Sequence, residues 1–185
     1  MYVDEGTCAF LTGSGSSGGI DHSVGTPGGG SFAAGAINKN GVDVGKVLVW
    51  ITAGQEYLKS FTGSDECEKD LAKVGMNDDK VRTFASDPKL KISDVRTKND
   101  PRYVQFMVTR QAYFATSTDT KTIWYLSDNF PQKSFTDVLG DLLHEFMHLT
   151  GLLDRPAEDA LKIDPPSTNI SKKFTEDCFK GIANP

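Results

Sequence analysis

The segment from Ser134 to Asp154 reads SFTDVLGDLLHEFMHLTGLLD. Ser134 lies three residues before Asp137, and in this arrangement each side chain can satisfy a free backbone amide at the start of a helix. We therefore expect a helix that begins near Phe135. Its apolar residues recur at nearly helical spacing, which predicts one face buried against a sheet and another face free for chemistry. These apolar residues are Val138, Leu139, Leu142, Phe146 and Leu149.

Two histidines and a glutamate in this helix have the spacing of a metal site. His144 and His148 are four residues apart, so both imidazoles project from the same side and can chelate one cation. Glu145 projects about 100° around the helix from His144. That offset suits a general base, because the carboxylate would reach a metal-bound water rather than the metal. The alternative is a surface helix that carries two solvated histidines.

The residues after the helix offer a third ligand. Gly151 follows His148 by three positions, and glycine can end a helix at positive φ and let the chain turn back sharply. Such a turn would bring Asp154 toward the two imidazoles and leave the fourth tetrahedral position open for water. The alternative makes Gly151 a helix C-cap and Asp154 the N-cap of a next helix that begins with Arg155 and Pro156.

Other side chains compete for the place of third ligand. Glu176 lies on the last expected helix, near residues 171–180, and is the runner-up. The remaining histidine, His22, falls in a glycine-rich segment, where we expect it to be solvated. The other candidate carboxylates are Glu158, Asp159, Asp164 and Asp177.

The eleven residues from His144 to Asp154 resemble the extended zinc signature of the metzincin peptidases, in the snapalysin-like form with aspartate as third ligand. The resemblance implies a zincin-like α+β fold, in which a small twisted mixed sheet packs on helices beside a short C-terminal subdomain. It also implies Zn²⁺ as cofactor, a peptide or protein substrate that pairs with an edge strand, and Glu145 as general base. This chain departs from the family in having no methionine after Asp154 and no tyrosine after Tyr125.

Two other functions fit the same residues. A non-catalytic binding module could use zinc to fasten the helix to the C-terminal segment, with a distant Cys8, His22 or Cys178 closing the fourth position. A zinc hydrolase could also act on an amide that is not a peptide. The first alternative predicts a closed coordination sphere, and the second predicts turnover without proteolysis.

Three further segments predict strands. Residues 47–51 form a continuous apolar and β-branched run, which is typical of a buried core strand. Residues 103–115 and 122–126 are rich in aromatic and β-branched side chains and flank a turn-prone stretch at Ser117, so they predict a β-hairpin. One segment of this hairpin region is the expected substrate-pairing edge.

Capping residues predict two more helices. Ser64 or Asp65 can cap a helix that runs to Val74 and stops at Gly75, and a second helical stretch reaches about Ala85. Residues 13–30 contain eight glycines, a composition typical of a loop or a flexible arm. We therefore expect a glycine-rich arm and the start of the domain in residues 1–45, and a single catalytic domain in residues 46–185.

The whole composition is that of an ordinary globular protein. The chain has 185 residues, is 38% hydrophobic and carries a net charge of −5. The acidic balance and the lack of a long apolar run give no reason to expect nucleic acid or membrane as partner, and we expect a monomer. The first residues show no pattern of basic and then apolar residues typical of a signal peptide.

The three cysteines give an indication of the cellular compartment. Cys8, Cys67 and Cys178 form no Cys-x-x-Cys pair, so they do not resemble a metal knuckle or a redox motif. One interpretation is a disulfide, between Cys67 and Cys178, in a secreted or extracytoplasmic protein. The alternative is three free thiols.

Overall fold

Seven α-helices and a four-stranded sheet make up the described part of the chain, which is of the α+β class as expected. The computed structural model describes residues 8–11, 36–98, 101–163 and 169–183. The helices are α1 (Val44–Leu58), α2 (Asp65–Lys73), α3 (Asp78–Ser86), α4 (Pro101–Arg110), α5 (Phe135–Leu149), α6 (Asp154–Leu161) and α7 (Ile170–Cys178). The strands are β1 (Cys8–Leu11), β2 (Lys91–Asp94), β3 (Phe114–Ser117) and β4 (Thr122–Tyr125), and short 3₁₀ turns occupy Val95–Lys98 and Ser127–Asn129. The glycine-rich stretch 13–30, including His22, lies outside the described residues.

The sheet is mixed and has the order β1-β3-β4-β2. Strands β3 and β4 form the predicted antiparallel hairpin, with Phe114 opposite Tyr125 and Ser117 opposite Thr122. Strand β1 runs parallel to β3, and β2 runs parallel to β4. Both hairpin strands therefore lie inside the described sheet, and the expectation that one of them forms its edge is wrong.

The strand predicted at residues 47–51 is wrong, because these residues lie inside helix α1. Asp43 caps this helix by accepting hydrogen bonds from the amides of Gly45 and Lys46. The buried residues continue at helical spacing well beyond the apolar run, and they are Val44, Val47, Trp50, Ile51, Gly54 and Leu58. The helical periodicity over the longer segment prevails over the β-branched content of five residues.

The first half of the strand predicted at 103–115 is also wrong, because residues 101–110 form helix α4. Pro101 is the first helical residue, a position at which the fixed φ of proline favours a helix. Gln111 then adopts a left-handed φ of 53° and ends the helix. Met107 of α4 packs in a small apolar cluster with Ala115 and Trp124 of the sheet.

The capping predictions for the other helices are confirmed. The Ser64 side chain accepts from the amide of Cys67 at the start of α2, and Gly75 follows that helix at a φ of 71°. Ser134 and Asp137 form a capping box, and α5 begins at Phe135. A disulfide joins Cys67 of α2 to Cys178 of α7, which confirms the proposed pairing.

Helix α5 lies at the centre of the fold, where it contacts α1, α3, α7 and β3. Every residue from Val138 to His148 is buried. The expectation that one face of this helix is free is therefore wrong, because neighbouring elements cover it all round over this length. Within the described ranges, no helix has both the length and the hydropathy needed to cross a bilayer.

Candidate metal centre

Three predicted ligands come together at the C-terminal end of α5. The Nε2 atom of His144 lies 2.7 Å from Oδ1 of Asp154, and Nε2 of His148 lies 3.1 Å from the same oxygen. One donor atom from each residue lies within 4.8 Å of the other two. All three side chains are buried, with at most 5% of any of them exposed. The prediction from the sequence spacing that these three side chains come together is confirmed.

Helix α5 and the turn after it place these donors. One helical turn puts His144 and His148 on the same side, with their ring centroids 4.7 Å apart. Gly151 then adopts a φ of 88°, which reverses the chain as the sequence predicts. Asp154 is the first residue of α6, whereas Leu153 is its N-cap. The alternative prediction, that Asp154 serves as the N-cap, is therefore wrong by one residue.

The remaining ring nitrogens fix the orientation of both imidazoles. His148 Nδ1 lies 2.8 Å from the carbonyl oxygen of Leu152, which can only accept, so this nitrogen carries a proton and donates. His144 Nδ1 lies 3.0 Å from Oγ of Ser171 on α7. In both rings Nε2 is therefore the nitrogen that faces Asp154. Such partners of metal-binding histidines hold the ring orientation.

The charged forms of Asp154 and His148 stabilise each other. Burial by itself raises the pKa of Asp154, but hydrogen bonds with His144 and His148 outweigh it, so that this pKa lies well below its ordinary value. Burial by itself lowers the pKa of His148, but its hydrogen bond to Asp154 and the charge of Glu145 outweigh that effect and raise it. The carboxylate of Asp154 and the imidazole of His148 therefore each favour the charged form of the other.

The donor set fits a divalent metal such as zinc. Two imidazole nitrogens and one carboxylate are ligands that zinc accepts, and in a tetrahedral site with bonds of about 2.0–2.1 Å neighbouring donors lie about 3.3 Å apart. The two distances to Oδ1 of Asp154, 2.7 and 3.1 Å, are shorter than this value, and the three donors lie within 4.8 Å of one another. Oδ2 of Asp154 is buried and has no hydrogen-bond partner. A bound cation would satisfy such an atom.

Glu145 lies beside the cluster and is not one of its three donors. The side chain is fully buried, and its Oε2 accepts a hydrogen bond from the hydroxyl of Thr116 on β3. Its charge acts on His148, which places the carboxylate within electrostatic reach of the candidate ligands. This position is compatible with the predicted role of a base that does not bind the metal.

The competing carboxylates that the structure describes pair with basic side chains instead. Glu176 is exposed on α7 and lies 3.8 Å from Lys172. Glu158 and Asp159 lie near Arg155, at 3.8 and 3.6 Å. Asp177 contacts Lys173 at 2.7 Å. Asp164 lies outside the described residues.

Two of the three possible fourth ligands, Cys8 and Cys178, lie among the described residues. Cys178 is bonded to Cys67 and has no thiolate to offer. Cys8 pairs through its backbone with Phe114. Among the described residues, no other cysteine or histidine joins His144, His148 and Asp154 in a possible metal-binding group.

Sequence reasoning missed four residues around the cluster. Ser171 contacts His144, and Thr116 contacts Glu145. Asp141 is fully buried one turn before His144 and forms an ion pair with Lys133. The signal that could have identified Asp141 is its charge between the apolar residues Leu139 and Leu142.

Comparisons of this chain with protein-family models, with curated proteins and with solved structures find no match. The metzincin resemblance stays a prediction, and it rests on the eleven residues from His144 to Asp154.

Proposed function

We propose that this protein is a zinc-dependent peptidase. His144, His148 and Asp154 would hold the metal, and Glu145 would act as general base. The observation that carries the proposal is the convergence of three buried donors with a separate buried carboxylate at their side. A purely structural site needs no such additional carboxylate.

Three protein ligands leave room for chemistry at the metal. Zinc in such a site would act as a Lewis acid that acidifies water and polarises a carbonyl group. His148 and His144 would present Nε2 because their Nδ1 atoms face Leu152 and Ser171. Asp154 would contribute a negative charge that stabilises the cation.

Glu145 would move the proton. Its carboxylate would accept a proton from the attacking water and deliver it to the leaving amine, as a general base and then a general acid. The hydroxyl of Thr116 donates to one of its oxygens and fixes the orientation of the group.

The remaining expectations belong to the same proposal. The mixed sheet and the central α5 agree with a zincin-like fold, and a peptide or protein substrate follows from the resemblance of the motif. The Cys67–Cys178 disulfide is compatible with a secreted protein, because disulfides persist in oxidising compartments. We propose on this basis that the protein is secreted, and we keep the proposal that it is a monomer.

The proposal is tested with an unfolded protein substrate and the full chain. The wild-type protein should bind one zinc and cleave the substrate, and a chelator should abolish cleavage. Glu145→Gln should keep its zinc and lose activity by about 10²- to 10⁴-fold, because only proton transfer is removed. Glu176→Gln changes an exposed carboxylate of α7 in the same way and should keep full activity.

Two outcomes would overturn the proposal. Substantial cleavage by Glu145→Gln at normal zinc occupancy would remove the assigned base. A wild-type protein that binds no metal would remove the site.

A second candidate function, the zinc-stabilised binding module, is favoured by the burial of the site. Glu145 and His148 are both 0% exposed, and closed metal sites are typical of structural zinc. This candidate predicts bound zinc, a large loss of stability on chelation and no turnover of any substrate. Cleavage of small amides without proteolysis would instead identify the third possibility, a hydrolase of non-peptide amides.

A further inference from the structure

Strand β1 is attached to the described sheet through a single strand neighbour. It has four residues, Cys8–Leu11, and it pairs only with β3. The next described residue along the chain is 36, and residues 13–30 of the connection contain eight glycines. Holding such a connection closed costs conformational entropy, which opposes the docking of β1. Because a four-residue pairing gains few backbone hydrogen bonds, the docked state of β1 is stabilised only weakly.

The same strand lies beside the assigned general base. β1 runs parallel to β3, and Phe10 pairs with Thr116. The hydroxyl of Thr116 donates to Glu145, and β1 also contacts α5, the helix that carries Glu145. Adjacent strands lie about 4.8 Å apart. The backbone of β1 therefore passes one strand spacing from the residue that holds the base.

The burial of the candidate site requires some element to move before a substrate enters. Thr116, Glu145 and His148 are each 0% exposed, and Asp154 is 5% exposed. A general base must come within hydrogen-bond reach of the reacting group, directly or through one water. Among the described elements, β1 is followed by the longest connection, because α1 begins only at Val44. β1 can therefore leave with the least disturbance of the other elements.

The edge of β3 suits an extended peptide. When β1 leaves, β3 becomes the outer strand of the sheet β3-β4-β2, with a row of unpaired backbone N–H and C=O groups. Extended peptides bind such edges as an added strand, held by main-chain hydrogen bonds. A peptide paired with Phe114–Ser117 would run beside Thr116 and hence beside Glu145. This is the place that β1 occupies.

We propose that β1 is an internal competitor for the β3 edge, and that it must leave before an extended peptide substrate pairs there. The inference rests on the proposed peptidase function and adds the regulation of that site. The apparent affinity for substrate is lowered by the fraction of molecules in which β1 is released. If β1 is docked about nine-tenths of the time, KM is raised about tenfold. The value of kcat is unchanged, because the substrate complex is the same once β1 has left.

Proline substitutions in the full chain test the competition. Proline has no backbone N–H, and successive N–H groups of a strand point to opposite sides, so Ala9→Pro combined with Phe10→Pro removes one that faces β3. The zinc-loaded double variant should cleave an unfolded protein substrate with a KM about tenfold lower than that of wild type and with the same kcat. Equal KM values for the two proteins would overturn the inference.

The matched control is Ser16→Pro combined with Ser17→Pro. Both residues belong to the N-terminal part of the chain and lie outside β1. This control should have the KM and the kcat of wild type. A KM as low as that of the β1 variant would show that proline in this part of the chain acts without release of β1, and it would overturn the inference.

Hydrogen exchange in Glu145→Gln, with zinc bound, tests the displacement without a change in β1. This variant lacks the base that turnover needs, so an excess of unfolded protein substrate stays bound. Substrate should speed exchange of the Cys8–Leu11 amides about tenfold, because the released fraction rises from about one-tenth to one. The amides of β3 should stay protected by the substrate. Exchange of the β1 amides at the same rate with and without substrate would overturn the inference.

Failure of the inference and failure of the proposed function give different results. A wild-type protein that binds zinc and cleaves, with β1 unaffected by substrate, refutes the competition and leaves the peptidase standing. Zinc-loaded proteins of which neither wild type nor the β1 variant cleaves refute the proposed function together with the inference.

Discussion

Asp154 is the central residue of the candidate site, because one of its oxygens contacts both histidine rings. Oδ1 lies 2.7 Å from His144 Nε2 and 3.1 Å from His148 Nε2. A buried carboxylate is stable only beside positive charge, which either protonated imidazoles or a metal cation can supply. Asp154 therefore requires either a protonated ring or a bound cation beside it.

Another buried carboxylate, Asp70, allows a prediction about pH. Its oxygens lie 2.6 Å from Lys73 and 2.9 Å from Lys173. Burial by itself raises the pKa of Asp70, but these hydrogen bonds outweigh it and lower the pKa below its ordinary value. A lowered pKa stabilises the fold above the ordinary value for aspartate, about 3.9, and this stabilisation is lost as the pH falls through the folded-state pKa.

Asp70→Asn should therefore lower the free energy of unfolding by about 2 kcal/mol at pH 7. The difference from wild type should shrink as the pH falls below about 4. Urea unfolding at pH 7 and pH 3 measures both values. Asp79→Asn is the control, because Asp79 is 85% exposed beside Arg82 and such pairs contribute little. A pH-independent loss in Asp70→Asn would contradict the prediction.

The sequence predicted the site at the level of single residues where the spacing is local. His144, His148 and Asp154 lie within eleven residues, and helical geometry with one glycine turn is enough to bring them together. Ser171 and Thr116 were not predictable in this way. Their partners are 27 and 29 residues away, so the contacts exist only after α7 and β3 have packed on α5.

Among the elements, caps and glycine stops were predicted more reliably than apolar runs. The N-caps at Ser64 and Ser134 depend on a few neighbouring residues. Residues 47–51 suit a strand by composition but belong to α1, because the burial pattern of the longer segment is helical. A short apolar run alone does not distinguish a strand from a helix.

The contact between α5 and α7 gives a prediction for elements. Gly140→Ala should destabilise the protein by about 1–3 kcal/mol, because the added methyl meets the backbone of α7. It should also weaken zinc binding by moving Ser171. Urea unfolding measures the change in stability, and competition for zinc with a chromophoric chelator measures the change in zinc affinity.

Gly54→Ala in α1 is the matched control for this substitution. The new Cβ would lie 2.8 Å from Cδ1 of Leu142, the end of a flexible side chain, and alanine favours the helix. It should cost less stability than Gly140→Ala and leave zinc affinity unchanged. Equal effects of the two substitutions would show that the α5–α7 contact has no special role.

For the whole molecule, the disulfide is the main covalent constraint. Cys67 and Cys178 are 111 residues apart in sequence, and closing so long a loop lowers the entropy of the unfolded chain enough to stabilise the fold by about 5 kcal/mol. Reduction should therefore lower the urea midpoint of the wild-type protein and of the Cys8→Ser variant, which keeps both bridge cysteines, by the same amount. An unchanged midpoint after complete reduction would contradict this prediction.

The fold class could be predicted from the sequence, but the arrangement of the whole molecule could not. The hairpin follows from its turn residues and helix α5 from its periodicity, whereas the α+β class was expected from the resemblance of residues 144–154. The sheet order depends on the pairing of β1 with β3 and of β2 with β4, which are contacts between distant segments. The burial of α5 on all sides likewise depends on where α7 packs, and no local pattern encodes that.

Diffraction from zinc-loaded crystals, recorded on either side of the zinc absorption edge, would locate the metal. The proposed zinc site predicts one anomalous peak within about 2.0–2.2 Å of His144 Nε2, His148 Nε2 and an Asp154 oxygen, with water as the fourth ligand. No peak at these residues, or a peak whose fourth ligand is another protein side chain, would contradict it.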